Sequence, residues 1–158
     1  NYYRFDNTLD FEYDELSHEQ NIAQAENETN FSKRIKLYEA AVELYKGPFL
    51  ADVDATWFAV ERQRYLEMYL TTLQILLKAY TSQGNKEKAL EISKAIIHHE
   101  PSNEEAYRNA MRIYHELGNT AGIIRIYEQC KQQLSKEYGL EPSDETKLFF
   151  QTLLQSRS

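Results

Sequence analysis

A histidine pair is the most obvious candidate for chemistry in this sequence. Metal binding could be proposed for His98, His99 and Glu100. However, neighbouring residues on a helix point about 100° apart, so the two rings cannot easily bind one ion. We therefore interpret the segment as a polar helix C-terminus, where a protonated histidine is favoured by the helix dipole.

The single cysteine is the other reactive side chain to consider. Cys130 lies on an apolar helical stripe, and no base is close to it in sequence. We predict a core residue rather than a nucleophile. The sequence has no glycine-rich phosphate loop, nucleophile elbow or zinc-type spacing. We therefore expect no catalytic residue, no metal site, no cofactor and no enzymatic activity.

A row of polar and basic residues is the more specific candidate for binding. Gln74 and Lys78 lie on one predicted helix. Arg108 and Arg112 occupy the corresponding positions 34 residues later, and His115 follows. Lining a groove, these residues would receive an acidic or carboxylate-bearing protein segment; the alternative is a solvated helix face. Reversing the charge of Arg108 and Arg112 is expected to leave the fold intact and to abolish partner binding.

The helices that must carry this row repeat along the chain. Tyr80 and the Gly84-Asn85 turn recur 34 residues later as Tyr114 and Gly118-Asn119. This period is typical of a helix-turn-helix unit that stacks on copies of itself. Such arrays usually bind other macromolecules.

A second echo indicates how the two units differ. Glu100-Pro101-Ser102 recurs 41 residues later as Glu141-Pro142-Ser143. The additional seven residues are two helical turns, which keep the apolar face nearly in phase. We therefore predict two units, over residues 70–101 and 104–138, with the second helix of the later unit two turns longer.

The spacing of apolar residues, caps and breakers predicts an all-α, tetratricopeptide-like right-handed superhelix of about seven antiparallel helices. Ser102 and Glu105 are expected to form a capping box, and Ser143 is expected to cap the last helix. The predicted helices cover about 11–25, 32–45 and 56–83, a stretch from Asn85 to before Pro101, the stretch opened by Ser102, a stretch from Asn119 to about 138, and the stretch after Ser143.

The composition narrows the class of protein. The 158 residues carry a formal net charge of -7, which argues against direct binding to a nucleic-acid backbone. One cysteine fits a reducing compartment such as the cytoplasm. No apolar run is long enough to span a membrane.

Three motifs occur in a fixed order along the chain. They are the segment from Ala41 to Asp52 (AVELYKGPFLAD), Trp57 with Glu61-Arg62, and the segment from Glu137 to Ser143 (EYGLEPS). This ordered set resembles the bacterial transcriptional activator domain. That domain is the tetratricopeptide-like module following a winged-helix DNA-binding domain in antibiotic-regulatory-type (SARP-like) activators. Ile123 departs from the repeat pattern, since the close helix crossing there prefers Ala.

The resemblance implies a domain over residues 11–156. Residues 1–10 would then be the severed end of a preceding winged-helix domain, or an N-terminal arm. The implied partners are proteins: the DNA-binding domain of the same regulator, RNA polymerase, or another copy in a possible homodimer. DNA would be contacted only through a domain absent from this chain. The alternative is a general tetratricopeptide scaffold or adaptor that binds a peptide in its groove.

Trp57, Glu61 and Arg62 share about one helix face, which is a possible docking face for the DNA-binding domain. The alternative is that Trp57 packs on the preceding loop, with Arg62 paired to a carboxylate such as Asp52 or Asp54.

Overall fold

The computed structural model of the chain describes residues 16–45 and 56–156, and these form helices joined by short links. The helices are α1 (residues 16–27), α2 (Phe31–Leu44), α3 (Thr56–Gln83), α4 (Lys86–His99), α5 (Glu104–Glu116), α6 (Thr120–Tyr138) and α7 (Asp144–Gln155). The prediction of an all-α, tetratricopeptide-like fold is confirmed. The described bounds of α2 and α3 agree with the predicted ones to within one residue, whereas the predicted start of α1 lies outside the described residues.

The chain divides into two compact structural units, which are not the two repeat units. The first unit is Asn1–Leu76 and the second unit is Leu77–Ser158, with the boundary inside α3. In the first unit, the fully buried His18 of α1 joins α2 and α3. Its Nδ1 donates a hydrogen bond to the carbonyl oxygen of Ala41. Its ring and the Tyr65 ring are nearly perpendicular, with 5.1 Å between their centroids. A polar side chain is therefore buried where α1, α2 and α3 of the first unit meet.

The second unit contains the repeated turns. Gly84 has φ 70° and Gly118 has φ 69°, a left-handed conformation that glycine adopts without steric cost. Asn85 then caps α4 by accepting from the amide of Lys88, and Asn119 caps α6 in the same way. The two turns that define the 34-residue period thus have the same geometry.

The helix cap that follows α4 differs from the prediction, whereas the cap that follows α6 agrees with it. The N-cap of α5 is Asn103, whose side chain accepts from the amide of Ala106, so the Ser102–Glu105 capping box was wrong. The N-cap of α7 is Ser143, as predicted. Asn103 wins because its side chain also donates to Glu100 Oε2 at 2.9 Å, which fixes it at the helix start.

The longer second helix is confirmed, but its length was overestimated. α4 has 14 residues and α6 has 19, so the extension is five residues rather than seven. Gly139 and Leu140 supply the other two, since they precede the repeated Glu-Pro-Ser segment. Gly139 has φ 63°, and the amide of Leu140 donates to Leu134 O. This left-handed cap ends α6 and redirects the chain into α7.

Candidate protein-binding face

The α5 residues of the predicted basic row contact α7 and its C-terminal cap. Arg108 Nη1 donates to Thr146 Oγ1 at 2.7 Å, and its Nη2 lies 3.7 Å from Glu145 Oε2. Only 17% of the Arg108 side chain is exposed. Arg108 therefore holds α7 on α5, and Arg108→Glu is expected to disturb this packing. This differs from the sequence-based expectation that its charge could be reversed without affecting the fold.

Arg112 and His115 continue this contact but stay accessible to different degrees. The Arg112 guanidinium lies 5.3 Å from the centroid of the Phe149 ring, and its Nη1 donates to Asn109 Oδ1 at 2.9 Å. His115 Nε2 lies 2.8 Å from Ser156 Oγ. Arg112 is exposed and His115 is half-buried. Of the three cations predicted on α5, Arg112 is thus the one that best presents its charge to solvent.

The α3 members of the row are both exposed. Gln74 lies in the part of α3 that belongs to the first unit, and Lys78 in the part that belongs to the second. Neither Lys78 nor Arg112 pairs with a carboxylate among the described residues. Among the cations of the predicted row, Lys78 on α3 and Arg112 on α5 are therefore the exposed ones that have no carboxylate partner in the described structure.

A small notch lies in the second unit beside Arg112. It has a volume of about 50 Å³ and is open to solvent. Its floor is made by the buried residues Leu77, Tyr80, Ala89 and Ile113. Its rim is made by Thr81, Gly84, Asn85, Lys86, Asn109, Arg112 and Glu116. The notch is therefore an apolar depression with a polar edge.

The two charges at the far end of the notch compensate each other. Lys86 Nζ lies 3.9 Å from Glu116 Oε2 and 3.5 Å from the carbonyl oxygen of the same residue. The remaining charge at the rim is that of Arg112. The edge of the notch on the Arg112 side is consequently the positive one.

The second predicted face, at the start of α3, is only partly described. Trp57 lies in the first turn of α3, and its side chain is outside the described residues. Glu61 Oε2 accepts from Arg64 Nε at 3.1 Å, and Arg64 Nη1 also donates to Glu19 Oε1 at 2.6 Å. The partner of Glu61 in the described structure is thus Arg64, and Arg62 lies beside it. The carboxylates considered as partners of Arg62, Asp52 and Asp54, fall outside the described residues.

The residues considered for chemistry occupy structural positions. Cys130 is fully buried, and this burial, with Glu104 nearby, raises the pKa of its thiol to about 12. Its thiolate is therefore strongly disfavoured, as expected for a core residue. His98 and His99 lie in the last turn of α4, and burial together with His98 lowers the pKa of His99.

Two further findings concern what the described residues can host. No group of three or more His, Cys, Asp or Glu side chains in the described ranges is arranged to hold a metal ion. None of the helices seen there is long and apolar enough to cross a membrane.

Two features were missed from the sequence. One is His18, whose Nε2 is buried without a hydrogen-bond partner in the described structure. Burial is the main cause that lowers the pKa of His18. The other is Glu104, which accepts from both the amide and the hydroxyl of Ser143. Neither contact has a sequence signal, because the partners lie 23 and 39 residues apart.

Paired helices with repeated turns and an exposed polar face define a helical-repeat protein of the tetratricopeptide-like class. Within that class, a family model described as the bacterial transcriptional activator domain matches residues 9–154. The chain belongs to this family, which confirms the resemblance seen in the sequence and gives the chain a regulatory role in transcription. No curated protein sequence matches the chain.

The fold is also similar to a solved structure titled "Mycobacterium tuberculosis EmbR in complex with low affinity phosphopeptide". The TM-score is 0.64 at 15% sequence identity. The match covers 94% of this chain but only 39% of the EmbR chain. At this identity the likeness supports the tetratricopeptide-like fold alone.

Proposed function

We propose that the chain is the protein-binding module of a bacterial transcriptional activator. It would couple an attached DNA-binding domain to RNA polymerase, to a second copy of itself or to a sensory domain. The mechanism is protein–protein contact without chemistry. DNA is contacted through another domain, and the chain itself carries a formal net charge of -7 that disfavours binding to phosphates.

The observation that carries this proposal is that two exposed cations of the predicted row have no carboxylate partner in the described structure. Lys78 and Arg112 are exposed on successive first helices of the repeat, on a protein that is otherwise acidic. Arg108 and His115, by contrast, are less exposed, and their side-chain nitrogens are hydrogen-bonded to Thr146 and Ser156. We therefore propose Lys78 and Arg112 as the main partner-binding cations, with Gln74, Arg108 and His115 as neighbours of lesser effect.

A second contact is proposed at the start of α3. Trp57, Glu61 and Arg62 would dock the DNA-binding domain there. Arg64 forms exposed ion pairs with Glu61 and Glu19, so both positive and negative charges lie near these residues. Such a face suits an interdomain contact, since these are more polar than permanent interfaces.

A charge-reversal experiment tests the role of the two cations. Lys78→Glu with Arg112→Glu is introduced into the regulator that carries this domain, and transcription from its target promoter is measured. We expect activation to be lost while operator binding, measured separately, stays unchanged. Lys36→Glu with Arg125→Glu is the matched control, because it changes the charge equally at two exposed cations in mid-helix.

The control should activate like the wild type. Equal activation by the test variant and the wild type would contradict the role given to Lys78 and Arg112. A loss of operator binding in the test variant would instead indicate that the cations serve DNA recognition. Circular dichroism of both variants establishes that the helices are intact.

A further inference from the structure

We infer that the notch beside Arg112 is an anchor site for one short aliphatic side chain of an acidic, extended peptide segment of a partner protein. This inference rests on the proposed function, because it names the chemistry of the segment that the two cations receive. It commits to a partner with acidic residues on both sides of a valine-sized residue. The argument depends on the size, lining and charge of the notch.

The size of the notch fits a small branched side chain. A cavity that holds one water has a volume of about 10–15 Å³. The notch, at about 50 Å³, therefore has room for roughly four groups of that size. The three carbon atoms of a valine side chain fit this space, whereas an aromatic ring does not.

The lining of the notch selects an apolar occupant. Leu77, Ala89 and Ile113 form its floor, and each is less than 10% exposed. An aliphatic group placed on them loses contact with water, which is the main driving force for such binding. The polar side chain of Asn109 remains at the rim, where it can meet the backbone of an extended segment.

The charge around the notch selects acidic neighbours. Arg112 lies at the rim, and Lys78 lies one helical turn before the rim residue Thr81, hence on the same side of α3. Neither cation is paired with a carboxylate in the described structure. The rim carboxylate of Glu116 is offset by Lys86. A carboxylate on either side of the anchored residue would therefore meet a cation and no net opposing charge.

The local contacts of Arg112 leave it able to bind. Its guanidinium uses one N–H for Asn109 and rests on the ring of Phe149. Arginine carries five N–H donors, so most of them remain for a carboxylate. The Phe149 ring holds the guanidinium in place before a partner arrives, which reduces the ordering required on binding.

The test uses the 158-residue chain and a fluorescein-labelled peptide of sequence Gly-Glu-Asp-Val-Glu-Asp-Gly. Binding is measured by fluorescence anisotropy, and the site is located by amide chemical shifts in NMR. We expect the largest shifts at Gly84, Asn85 and Asn109. Replacing the central Val of the peptide by Gly is expected to weaken binding about tenfold, because burial of the isopropyl group is lost.

Two protein variants separate the notch from the cations. Thr81→Phe places a ring over the notch and keeps both cations; Thr81 is exposed, and its hydroxyl bonds only within its own helix. It is expected to weaken the Val peptide about tenfold and to leave the Gly peptide unchanged. Lys78→Glu with Arg112→Glu should weaken both peptides by about three- to tenfold. The control, Lys36→Glu with Arg125→Glu, should change neither.

The outcomes distinguish this inference from the function on which it rests. Equal binding of the Val and Gly peptides, or unchanged binding of the Val peptide to Thr81→Phe, overturns the anchor site. If Thr81→Phe nevertheless activates transcription normally and the double charge reversal does not, the proposed function stands without the notch. If the double charge reversal activates normally while both peptide effects are seen, the notch binds acidic segments and the proposed use of the cations in transcription fails.

Discussion

The two turns that join the helices of each repeat have the same backbone geometry, but different residues allow the helices beside each turn to pack closely. In the first, Lys88 lies with its Nζ 5.3 Å from the centroid of the Tyr80 ring, and the small residue Ala89 is buried next to it. In the second, Gly122 occupies the position of Lys88, and Ile123 that of Ala89. A Cβ atom on Gly122 would lie 2.6 Å from Cγ of Tyr114. The small residue at the helix contact is thus Ala89 in the first turn and Gly122, one position earlier in the repeat, in the second turn. The Tyr114 ring occupies the space where a Cβ of residue 122 would lie.

This difference explains why Ile123 is tolerated where the repeat prefers Ala. The close approach of the helices in the second turn depends on Gly122 instead. The two turns are therefore equivalent in backbone but not in side-chain packing. Substitutions that exchange or equalise the two sites show where the equivalence ends.

The largest effect is expected from placing the residue of the first turn in the second. Gly122→Lys forces its Cβ into the Tyr114 ring, well inside van der Waals distance, so we expect the upper end of the cost of overpacking, about 3 kcal/mol. The gain in helix propensity returns at most about 1 kcal/mol. We expect a net loss of about 2 kcal/mol in the free energy of unfolding, measured by urea denaturation.

The reverse exchange is the control. Lys88→Gly removes helix propensity and a surface contact, so a loss of about 1 kcal/mol is expected. If Gly122→Lys were the milder of the two changes, the Tyr114 ring would have room to move and the comparison would fail.

The next effect should be equal in both turns. Gly84 and Gly118 have nearly the same positive φ, and a Cβ on either would meet nothing within 4 Å. The cost of alanine there comes from the left-handed backbone alone, about 1–2 kcal/mol. Gly84→Ala and Gly118→Ala should lower the free energy of unfolding by similar amounts. A large difference between them would mean that the two turns are not equivalent even in backbone.

A smaller effect is expected in the two links, where the same tripeptide plays different roles. Ser143 caps α7, so Ser143→Ala should cost about 1 kcal/mol. Ser102 is exposed and precedes the actual cap, Asn103, so Ser102→Ala should change stability by less than about 0.5 kcal/mol. Thermal unfolding followed by circular dichroism compares them. Equal losses would restore the capping box that the sequence predicted.

Some features of the fold and of the candidate site were predicted more closely than others. The reason is that some depend on neighbouring residues, whereas others depend on contacts between residues far apart in the sequence. The helices and turns follow from local signals such as Gly84-Asn85 and the spacing of apolar residues, and they were predicted closely. The choice of Asn103 over Ser102 depends on a competition between adjacent caps that periodicity does not resolve. The burial of Arg108 depends on Thr146, 38 residues away, and so the face expected to be an open groove is partly occupied by α7.

The smallest expected effect concerns how the free energy of unfolding depends on pH. It arises at the link between α6 and α7, where Ser143 caps α7. Burial alone would raise the pKa of Glu104, but hydrogen bonds from Thr146 and Ser143, with the charge of Arg108, outweigh it and lower the pKa below its ordinary 4.5. A carboxylate whose pKa is lowered by folding adds stability above its unfolded pKa. That stability is lost as the pH falls through the lowered value in the folded state.

In the first link, the carboxylate that contacts the cap comes from the link itself, since Glu100 Oε2 accepts from Asn103 Nδ2. In the second link it comes from another helix, since Glu104 belongs to α5. Removing the charge of Glu104 by Glu104→Gln should therefore flatten the loss of stability below about pH 4.5, whereas Glu105→Gln, an exposed neighbour, should leave it unchanged. Urea denaturation between pH 3 and pH 6 (roughly the window set by the lowered pKa) measures both. Parallel curves for Glu104→Gln and the wild type would mean that the bonds from Ser143 to Glu104 contribute nothing to the docking of α7. The two links would then differ in their caps alone.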